Sequence, residues 1–259
     1  SASQGVIRAN TQTEFVKAFE RIKALLLDND KRTKTKILIE DYIEGEEVAL
    51  EGLMVNGKLT VLALFDKPDP LEGPYFEETI YITPSRKSIE IQNSIRNTAE
   101  QAANSIGLKE GPLHIELRLR PNTRTSNETG PCVIDMAARS IGGLCSRSLQ
   151  FSDGLTLEDI ILHHAIGRPI QTNRENKASG VMMIPIPKAG ILKRVDGTLD
   201  AQSVPGITDI TISSTVGKQV IPLPEGNKYL GFIFAKADQP EAVEAALRTA
   251  HSKLNFKII

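Results

Sequence analysis

Two carboxylates could bind a metal ion if the hairpin that the sequence predicts is symmetric. Residues 113–120 alternate between apolar and polar side chains, which is typical of a half-buried strand. Residues 132–137 predict a second strand, and the turn-forming residues 121–130 predict a hairpin loop between the two. A symmetric loop places Glu116 opposite Asp135.

The pair of Glu116 and Asp135 would need a cation between the two side chains. Directly opposed residues have Cβ atoms roughly 4.5–5.5 Å apart, and like charges there destabilise a sheet. Magnesium prefers oxygen ligands, and Arg139 follows on the same face as Asp135. Two carboxylates, a metal ion and an arginine are groups that phosphoryl transfer from ATP uses. A solvent-facing hairpin with scattered charges explains the same pattern, and both interpretations stay open here.

The polar face of the first strand also carries a histidine. His114 lies two residues before Glu116, and the symmetric hairpin places it opposite Ala137. It could line a site or make a structural hydrogen bond, and the sequence favours neither role.

The composition is that of a soluble globular protein. The chain has 259 residues, of which 40% are hydrophobic and 24% charged, and a net charge of −1. That charge gives no reason to expect nucleic acid or a membrane as a partner. No apolar run reaches the roughly 18 residues of a membrane-spanning helix, and we recognise no signal peptide. Cys132 and Cys145 lack zinc-site spacing, so we expect reduced thiols and a cytoplasmic protein.

Apolar periodicity and capping residues divide the first part of the chain into elements. Strands are predicted at residues 36–41, 48–54 and 58–65, and Asn56-Gly57 predicts a tight turn between the last two. Helices are predicted at residues 11–28, 88–106 and 157–166, and Thr11 with Glu14 forms a capping box at the start of the first. We expect the apolar side of the first two helices to be buried, namely Phe15, Phe19, Ile22, Leu25, Leu26, Ile91, Ile95, Ala99, Ala102 and Ile106.

The lengths and spacing of the predicted elements change near residue 171. Short predicted strands separated by Gly and Pro follow, then one helix at residues 240–254 and a closing strand at 256–259. We therefore predict two domains of the α+β class, at residues 1–170 and 171–259.

Five segments together resemble a known family. SASQGV, ILIEDYIEGEEV, LALFDK, LHIEL and VIDMAARSIGG occur in the order found in ATP-grasp enzymes. The C-terminal part is similar to that of L-amino acid ligases and carnosine-synthase-like carboxylate–amine ligases. The resemblance implies an ATP-grasp fold, in which two α+β lobes hold ATP between antiparallel sheets, with a small α+β domain appended.

The resemblance also implies a set of nucleotide-binding residues. The loop that covers the triphosphate corresponds to Ser3, Gln4 and Gly5, and the hinge that holds adenine to Glu40, Asp41 and Ile43. The carboxylate that accepts the ribose hydroxyls corresponds to Glu47, and the lysine that contacts phosphate to Lys67.

The catalytic groups are implied by the same match. Glu116 and Asp135 correspond to metal ligands, and Arg139 and Lys67 to the catalytic groups that hold the transferred phosphate. Many relatives have a third ligand, an asparagine, where this chain has Ala137, so a two-metal arrangement stays open. The implied cofactors are ATP and Mg2+, with Mn2+ as a substitute.

The expected function is an ATP-dependent carboxylate–amine ligase that works through an acyl phosphate and releases ADP and phosphate. Its partners would be small-molecule substrates, amino acids among them, without nucleic acid or membrane, and the family allows a homodimer. One alternative is a biotin-carboxylase-like or carbamoyl-phosphate-synthetase-like enzyme, which the SIGGLCSRS segment after Arg139 disfavours. Another is a non-catalytic ATP-binding module, which Ala137 favours.

The chain begins inside the small-residue loop that matches the family. We therefore expect an N-terminal domain of the same protein as a further partner, since it would form one wall of the substrate site. We also expect this chain alone to be inactive and to bind nucleotide weakly.

Overall fold

The computed structural model describes residues 3–29, 36–121, 129–169 and 171–259. Its α-helices are α1 Gln12–Asn29, α2 Ile89–Ser105, α3 Leu157–Ala165, α4 Thr198–Gln202 and α5 Pro240–Lys253. The strands of the first part are β1 Glu46–Val55, β2 Lys58–Asp66, β3 Ile80–Thr83, β4 Gly111–Arg120 and β5 Gly130–Ala137. The later strands are β6 Ala178–Ile184, β7 Gly190–Asp196, β8 Ile207–Ile212, β9 Gln219–Val220, β10 Gly231–Ala237 and β11 Asn255–Ile258.

Two antiparallel sheets organise these strands. The larger has eight strands in the order β5-β4-β1-β2-β3-β6-β10-β8, and the smaller has three in the order β11-β7-β9. The larger sheet is continuous across residue 170, because β3 pairs with β6. The division at that residue remains a prediction.

The hairpin of β4 and β5 has the predicted register from His114 to Glu116. Glu116 pairs with Asp135 and His114 with Ala137. Ile115 and Leu117 are fully buried on the opposite face, as the alternation predicted. A register shift follows Glu116, so that Leu117 pairs with Val133. Residues 122–128 of the loop predicted at 121–130 lie outside the described residues.

The turn between β1 and β2 is also confirmed. Asn56 and Gly57 have φ values of 50° and 76°. Positive φ at both positions is what a two-residue hairpin turn demands, because it matches the twist of the flanking strands.

The strand predicted at residues 36–41 is wrong. The described residues there form no ladder, and Leu38 and Ile39 are 78% and 62% exposed. An apolar run becomes a strand only where another strand supplies hydrogen-bond partners, and the sequence pattern contains no information about that partner. The segment instead lines the large cleft of the molecule.

The first helix begins as predicted but is less buried than predicted. The capping box is present, since Glu14 donates its N–H to Thr11 Oγ1 at 3.2 Å and accepts the N–H of Thr11 at 3.1 Å. However, Phe15 and Phe19 are 38% and 36% exposed, because α1 forms an open wall of the cleft.

The second helix is confirmed with a narrower buried face than predicted. Ile95 and Ala99 are buried against the sheet, together with Ala103. Ile91 and Ile106 are exposed; Ile91 lies in the first turn of α2, and Ile106 is its C-cap.

The remaining predicted helices and C-terminal strands are present, whereas β3 and α4 were missed. β3 is four residues long and α4 five, which is too short for periodicity to reveal. Among the described residues, no helix is long and apolar enough to cross a membrane.

Candidate active site

A cleft of about 1470 Å³ lies above the polar face of the β1–β4–β5 part of the sheet. One wall is α1 with residues 36–43, and the other is the loop that precedes β10. Nearly all predicted site residues line this cleft, namely Ser3, Gln4, Gly5, Glu40, Asp41, Ile43, Glu47, Glu116, Asp135 and Arg139. Segments far apart in the sequence therefore meet in one place.

Lys67, the remaining predicted residue, does not line the cleft but is buried beneath it, where three carboxylates surround its ammonium group. Its Nζ is 2.6 Å from Glu47, 2.5 Å from Glu78 and 3.0 Å from Glu116. The side chain is only 3% exposed. The ammonium donates hydrogen bonds to Glu47 and Glu78, and its contact with Glu116 is an ion pair.

The charges of this cluster depend on one another. Burial would lower the pKa of Lys67, but Glu78, Glu116 and Glu47 hold it above its usual value. Burial would raise the pKa of Glu116, but Lys67 and His114 hold it below its usual value. The pKa of Glu78 is raised, mainly by burial. Lys67, Arg118 and His114 thus offset the charge of these carboxylates in the present arrangement.

The donor set fits a hard divalent cation. Carboxylate oxygens of Glu47, Glu78 and Glu116 lie within 4.8 Å of one another. Asp135, the other predicted ligand, is exposed on β5 directly opposite Glu116. Oxygen ligands are those that magnesium prefers.

Glu78 was missed by sequence reasoning. It lies two residues before β3. β3 pairs with the end of β2, and Lys67 directly follows that end. Because β3 is too short to be recognised by its pattern, the FEET segment carried no signal that its second glutamate faces the site.

A buried bridge connects His114 to the loop that carries Arg139. His114 Nδ1 contacts Glu51 Oε1, its direct cross-strand neighbour, and His114 Nε2 is 3.5 Å from Glu116. The other oxygen of Glu51 accepts the backbone N–H of Ile141 at 2.9 Å. Burial would lower the pKa of His114, but its bonds to Glu116 and Glu51 raise it to about 9. The sequence did not single out Glu51.

Arg118 holds the segment that matches the adenine hinge. It donates from Nε to Glu47 at 3.1 Å and from Nη1 to the carbonyl of Ile43 at 2.7 Å. Its guanidinium also lies 4.9 Å from the centre of the Tyr42 ring. These contacts fix residues 42–43 although the segment belongs to no sheet.

The loop at Ser3, Gln4 and Gly5 is tied to the C-terminal part of the chain. Gly5 donates its N–H to the carbonyl of Pro224 at 3.0 Å, and Gln4 Nε2 donates to the carbonyl of Glu225 at 2.7 Å. Ser3 and Gly5 both have positive φ, at 52° and 75°. The small-residue composition therefore suits a left-handed loop.

Arg139 is exposed and free to move toward a ligand. Within the described residues its only side-chain hydrogen bond is from Nη1 to the adjacent Ser140 carbonyl, at 2.7 Å. Gly143, four residues later, has a φ of 64°, and a Cβ there would lie 3.4 Å from Phe232. The glycine thus lets the loop pass close beneath β10.

A protein-family model for the ATP-grasp domain matches residues 1–148 of this chain. The chain belongs to the ATP-grasp family. A second model, L-amino acid ligase C-terminal domain 2, matches residues 182–258 of this ATP-grasp chain. The eight-stranded antiparallel arrangement with helices on its faces agrees with the α+β ATP-grasp fold that was expected.

Two curated proteins are similar in sequence to this chain. The chain is 25% identical over 163 residues to alanine–anticapsin ligase of Bacillus subtilis strain 168, covering 58% of this chain and 33% of that protein. It is 19% identical over 228 residues to the uncharacterized protein y4rH of Sinorhizobium fredii, covering 88% and 45%. The chain thus spans less than half the length of these two relatives.

Solved structures show the same fold. The L-amino acid ligase from Bacillus licheniformis superimposes with a TM-score of 0.82 at 25% identity, covering 98% of this chain and 62% of that one. The biotin carboxylase domain of the Hydrogenobacter thermophilus 2-oxoglutarate carboxylase gives a TM-score of 0.65 at 16% identity, covering 100% and 56%. The second likeness concerns the fold alone.

Proposed function

We propose that this chain provides the ATP-binding and catalytic floor of a carboxylate–amine ligase that forms an amide through an acyl phosphate. The observation that carries the proposal is that Glu116, Asp135 and Arg139 line one cleft together with the hinge residues. The match to the L-amino acid ligase C-terminal domain favours this activity over carboxylation of bicarbonate.

ATP would bind with its base against the hinge and its phosphates over the sheet. Glu40, Asp41 and Ile43 would hold adenine, and Glu47 the ribose hydroxyls. Ser3, Gln4 and Gly5 would cover the triphosphate with backbone N–H groups, which requires the Gly5 bond to Pro224 to open.

The reaction would proceed in two displacements. A carboxylate oxygen of the first substrate attacks the γ-phosphorus, the bond to the bridging oxygen breaks, and ADP leaves. The nitrogen of the second substrate then attacks the carbonyl carbon, the bond from that carbon to the phosphate oxygen breaks, and phosphate leaves. The nitrogen loses a proton to solvent. Arg139, with its planar fork of donors, would stabilise the charge on the transferred phosphoryl group.

Glu116 and Asp135 would hold magnesium, which neutralises phosphate charge when it is bound. Lys67 keeps Glu116 ionised and therefore competent as a ligand. It would contact phosphate only when one of its carboxylate partners is drawn away, since Glu47, Glu78 and Glu116 surround its ammonium group in the present arrangement.

The test is a product assay on both this chain and the full-length gene product. Each is incubated with ATP, magnesium and pools of amino acids, and ADP, AMP and phosphate are quantified. We expect amino-acid-dependent ADP and phosphate from the full-length product, and their loss in Asp135→Asn.

Other products would overturn the proposal. AMP with pyrophosphate would mean that the substrate is adenylated. Tight ATP binding without turnover for any pool would favour a non-catalytic nucleotide-binding module.

A further inference from the structure

The segment at residues 36–43, which contains the proposed adenine hinge, is held by few backbone contacts. It forms no ladder with any described strand, and its apolar side chains Leu38 and Ile39 are exposed. The only hydrogen bond that joins it to another described residue is accepted by the carbonyl of Ile43 from Arg118, at 2.7 Å. The shape of this segment therefore depends on the side chains that pack against it.

Arg118 makes this contact from a buried position on β4. Its guanidinium donates to Glu47 at 3.1 Å and to the backbone carbonyls of Ile43 and Leu71. A guanidinium is planar, and its donors diverge at fixed angles. Three acceptors from separate segments are thus held at set distances from one another. A lysine would keep the charge, but its single nitrogen on a flexible stem would not reproduce this spacing.

Tyr42, the residue before Ile43, contacts two cations. The guanidinium of Arg8 lies 3.6 Å from the centre of its ring, and the guanidinium of Arg118 lies 4.9 Å from the same centre. The ring of Phe76 stacks beside it, with centroids 6.3 Å apart and an angle of 24° between the planes. Side chains from three other segments therefore fix the orientation of Tyr42.

The orientation of Tyr42 decides where the proposed adenine contacts point. The carbonyl of Asp41 and the N–H of Ile43 belong to the two peptide groups that flank Tyr42, and each peptide group is planar. A rotation of the Tyr42 backbone would turn one group relative to the other. Adenine presents an amino donor beside a ring-nitrogen acceptor, so the carbonyl and the N–H satisfy it together only when both point to the same side.

We propose that Arg118 is a positioning residue that sets the selectivity of the cleft for adenine, by holding Tyr42 and Ile43 in the orientation that adenine requires. The same guanidinium binds Glu47, the proposed ribose acceptor, so one group fixes the base contacts and the ribose contact. Arg118 need not touch the nucleotide for this role. The inference rests on the proposed function, because it concerns the nucleotide that the ligase uses.

The substitution Arg118→Lys keeps the charge and removes the fork of donors. We compare ATP with ITP as substrates of the full-length gene product, since ITP differs only in its base, which carries an oxo group in place of the amino group. The preference of wild type for ATP in kcat/KM should fall about tenfold or more in the variant. The fall should come mainly from a higher KM for ATP.

The ratio of the two nucleotides separates positioning from a structural role. A variant that only loses stability has less active enzyme, which lowers kcat for ATP and ITP alike and leaves their ratio unchanged. If Arg118 acted only by neutralising Glu47, lysine would also preserve the ratio.

Two further variants complete the test. Tyr42→Leu removes the ring that Arg118 contacts but no hydrogen bond of the guanidinium, and it should also lower the preference for ATP. The control is Arg147→Lys, since Arg147 likewise lies over a ring, 4.8 Å from the centre of Phe234, and bonds a carboxylate, Asp209, at 2.9 Å. Arg147 lies outside the lining of the cleft, so this variant should keep the preference of wild type.

Nucleotide binding separates failure of this inference from failure of the proposed function. The dissociation constants of Mg-ATP and Mg-ITP, measured by titration calorimetry on the full-length product, require no turnover. Weaker ATP binding with unchanged ITP binding in Arg118→Lys supports the inference even if no ligation occurs.

Three outcomes would overturn the inference. One is an unchanged ratio of the two affinities in folded Arg118→Lys, or in Tyr42→Leu if the first variant does not fold. Another is equal affinity of wild type for both nucleotides. Both of these leave the ligase proposal standing, whereas no binding of either nucleotide to wild type would overturn the two proposals together.

Discussion

Glu51 and Ile141 are joined by a buried hydrogen bond of 2.9 Å from the backbone N–H of Ile141 to Glu51 Oε2. Glu51 is 1% exposed and lies in the middle of β1. Ile141 follows Arg139 by two residues. The bond therefore ties the loop that carries the proposed catalytic arginine to the rigid centre of the sheet.

Glu51→Ala should lower kcat strongly and change KM for ATP little. The substitution leaves the N–H of Ile141 unpaired and releases the Arg139 loop, and a misplacement of about 1 Å can cost ~100-fold in rate. Glu51→Gln keeps an acceptor for Ile141 and should recover most of the activity. Steady-state kinetics of both variants test this, and an equal loss in both would show that charge rather than position matters.

Lys67→Met should destabilise the fold, because it leaves Glu47, Glu78 and Glu116 without their shared cation. Breaking a buried ionic cluster by removing one partner costs on the order of 3 kcal/mol. Millimolar magnesium should restore part of that stability if these carboxylates bind it. Tm measured with and without magnesium checks the prediction, and wild type is the control for general salt effects.

The stability that Glu116 contributes should depend on pH in a defined direction. Its folded pKa lies below the usual value, since Lys67 and His114 outweigh the effect of burial. Its contribution is therefore fully present above the unfolded pKa of about 4.3. It is lost as the pH falls toward the folded value. Urea unfolding between pH 7 and pH 3 should show a smaller loss of stability for Glu116→Gln than for wild type.

Arg21→Ala should loosen α1 from the C-terminal part of the chain. Arg21 donates from Nη2 to Glu225 at 2.8 Å, and the same Glu225 provides the carbonyl that Gln4 binds. Because the pair is partly exposed, global stability should change by less than about 1 kcal/mol. Hydrogen exchange at residues 3–29 should nevertheless rise. Lys23→Ala, a matched substitution on α1 outside the contacts of Arg21, Glu225 and Gln4, should leave this exchange unchanged.

Gly180→Ala should lower the free energy of unfolding by ~1–3 kcal/mol through overpacking. A Cβ at Gly180 would lie 2.7 Å from the carbonyl oxygen of Tyr81 and 2.8 Å from Val243. Gly142→Ala is the control for stability, since the nearest atom to its Cβ would be 4.0 Å away. Denaturant unfolding of both variants checks this, and an equal change in the free energy of unfolding would contradict the packing argument.

The local parts of this protein could be predicted because their signals are local. Each of these predictions depends on residues within one short stretch of sequence: the turn at Asn56-Gly57, the capping box of Thr11 with Glu14, and the pairing of Glu116 with Asp135. The residues matched to the family, apart from the buried Lys67, also line one cleft, although their roles there remain proposals.

The errors have a common physical origin in contacts between distant segments. The apolar face of α1 was expected to be buried and residues 36–41 to form a strand, but burial and strand pairing both depend on what packs against a segment. No pattern within either segment contains that information.

The sequence by itself determined the hairpin and its pairing from His114 to Glu116, because a period of two and a symmetric turn fix which residues oppose each other. Only the tertiary structure decided that β1 lies beside β4, which pairs Glu47 with Arg118 and Glu51 with His114. It also brought Glu78 to Lys67. Those neighbours come from strand order and from loops far apart in sequence, and they are chosen by the packing of the whole chain.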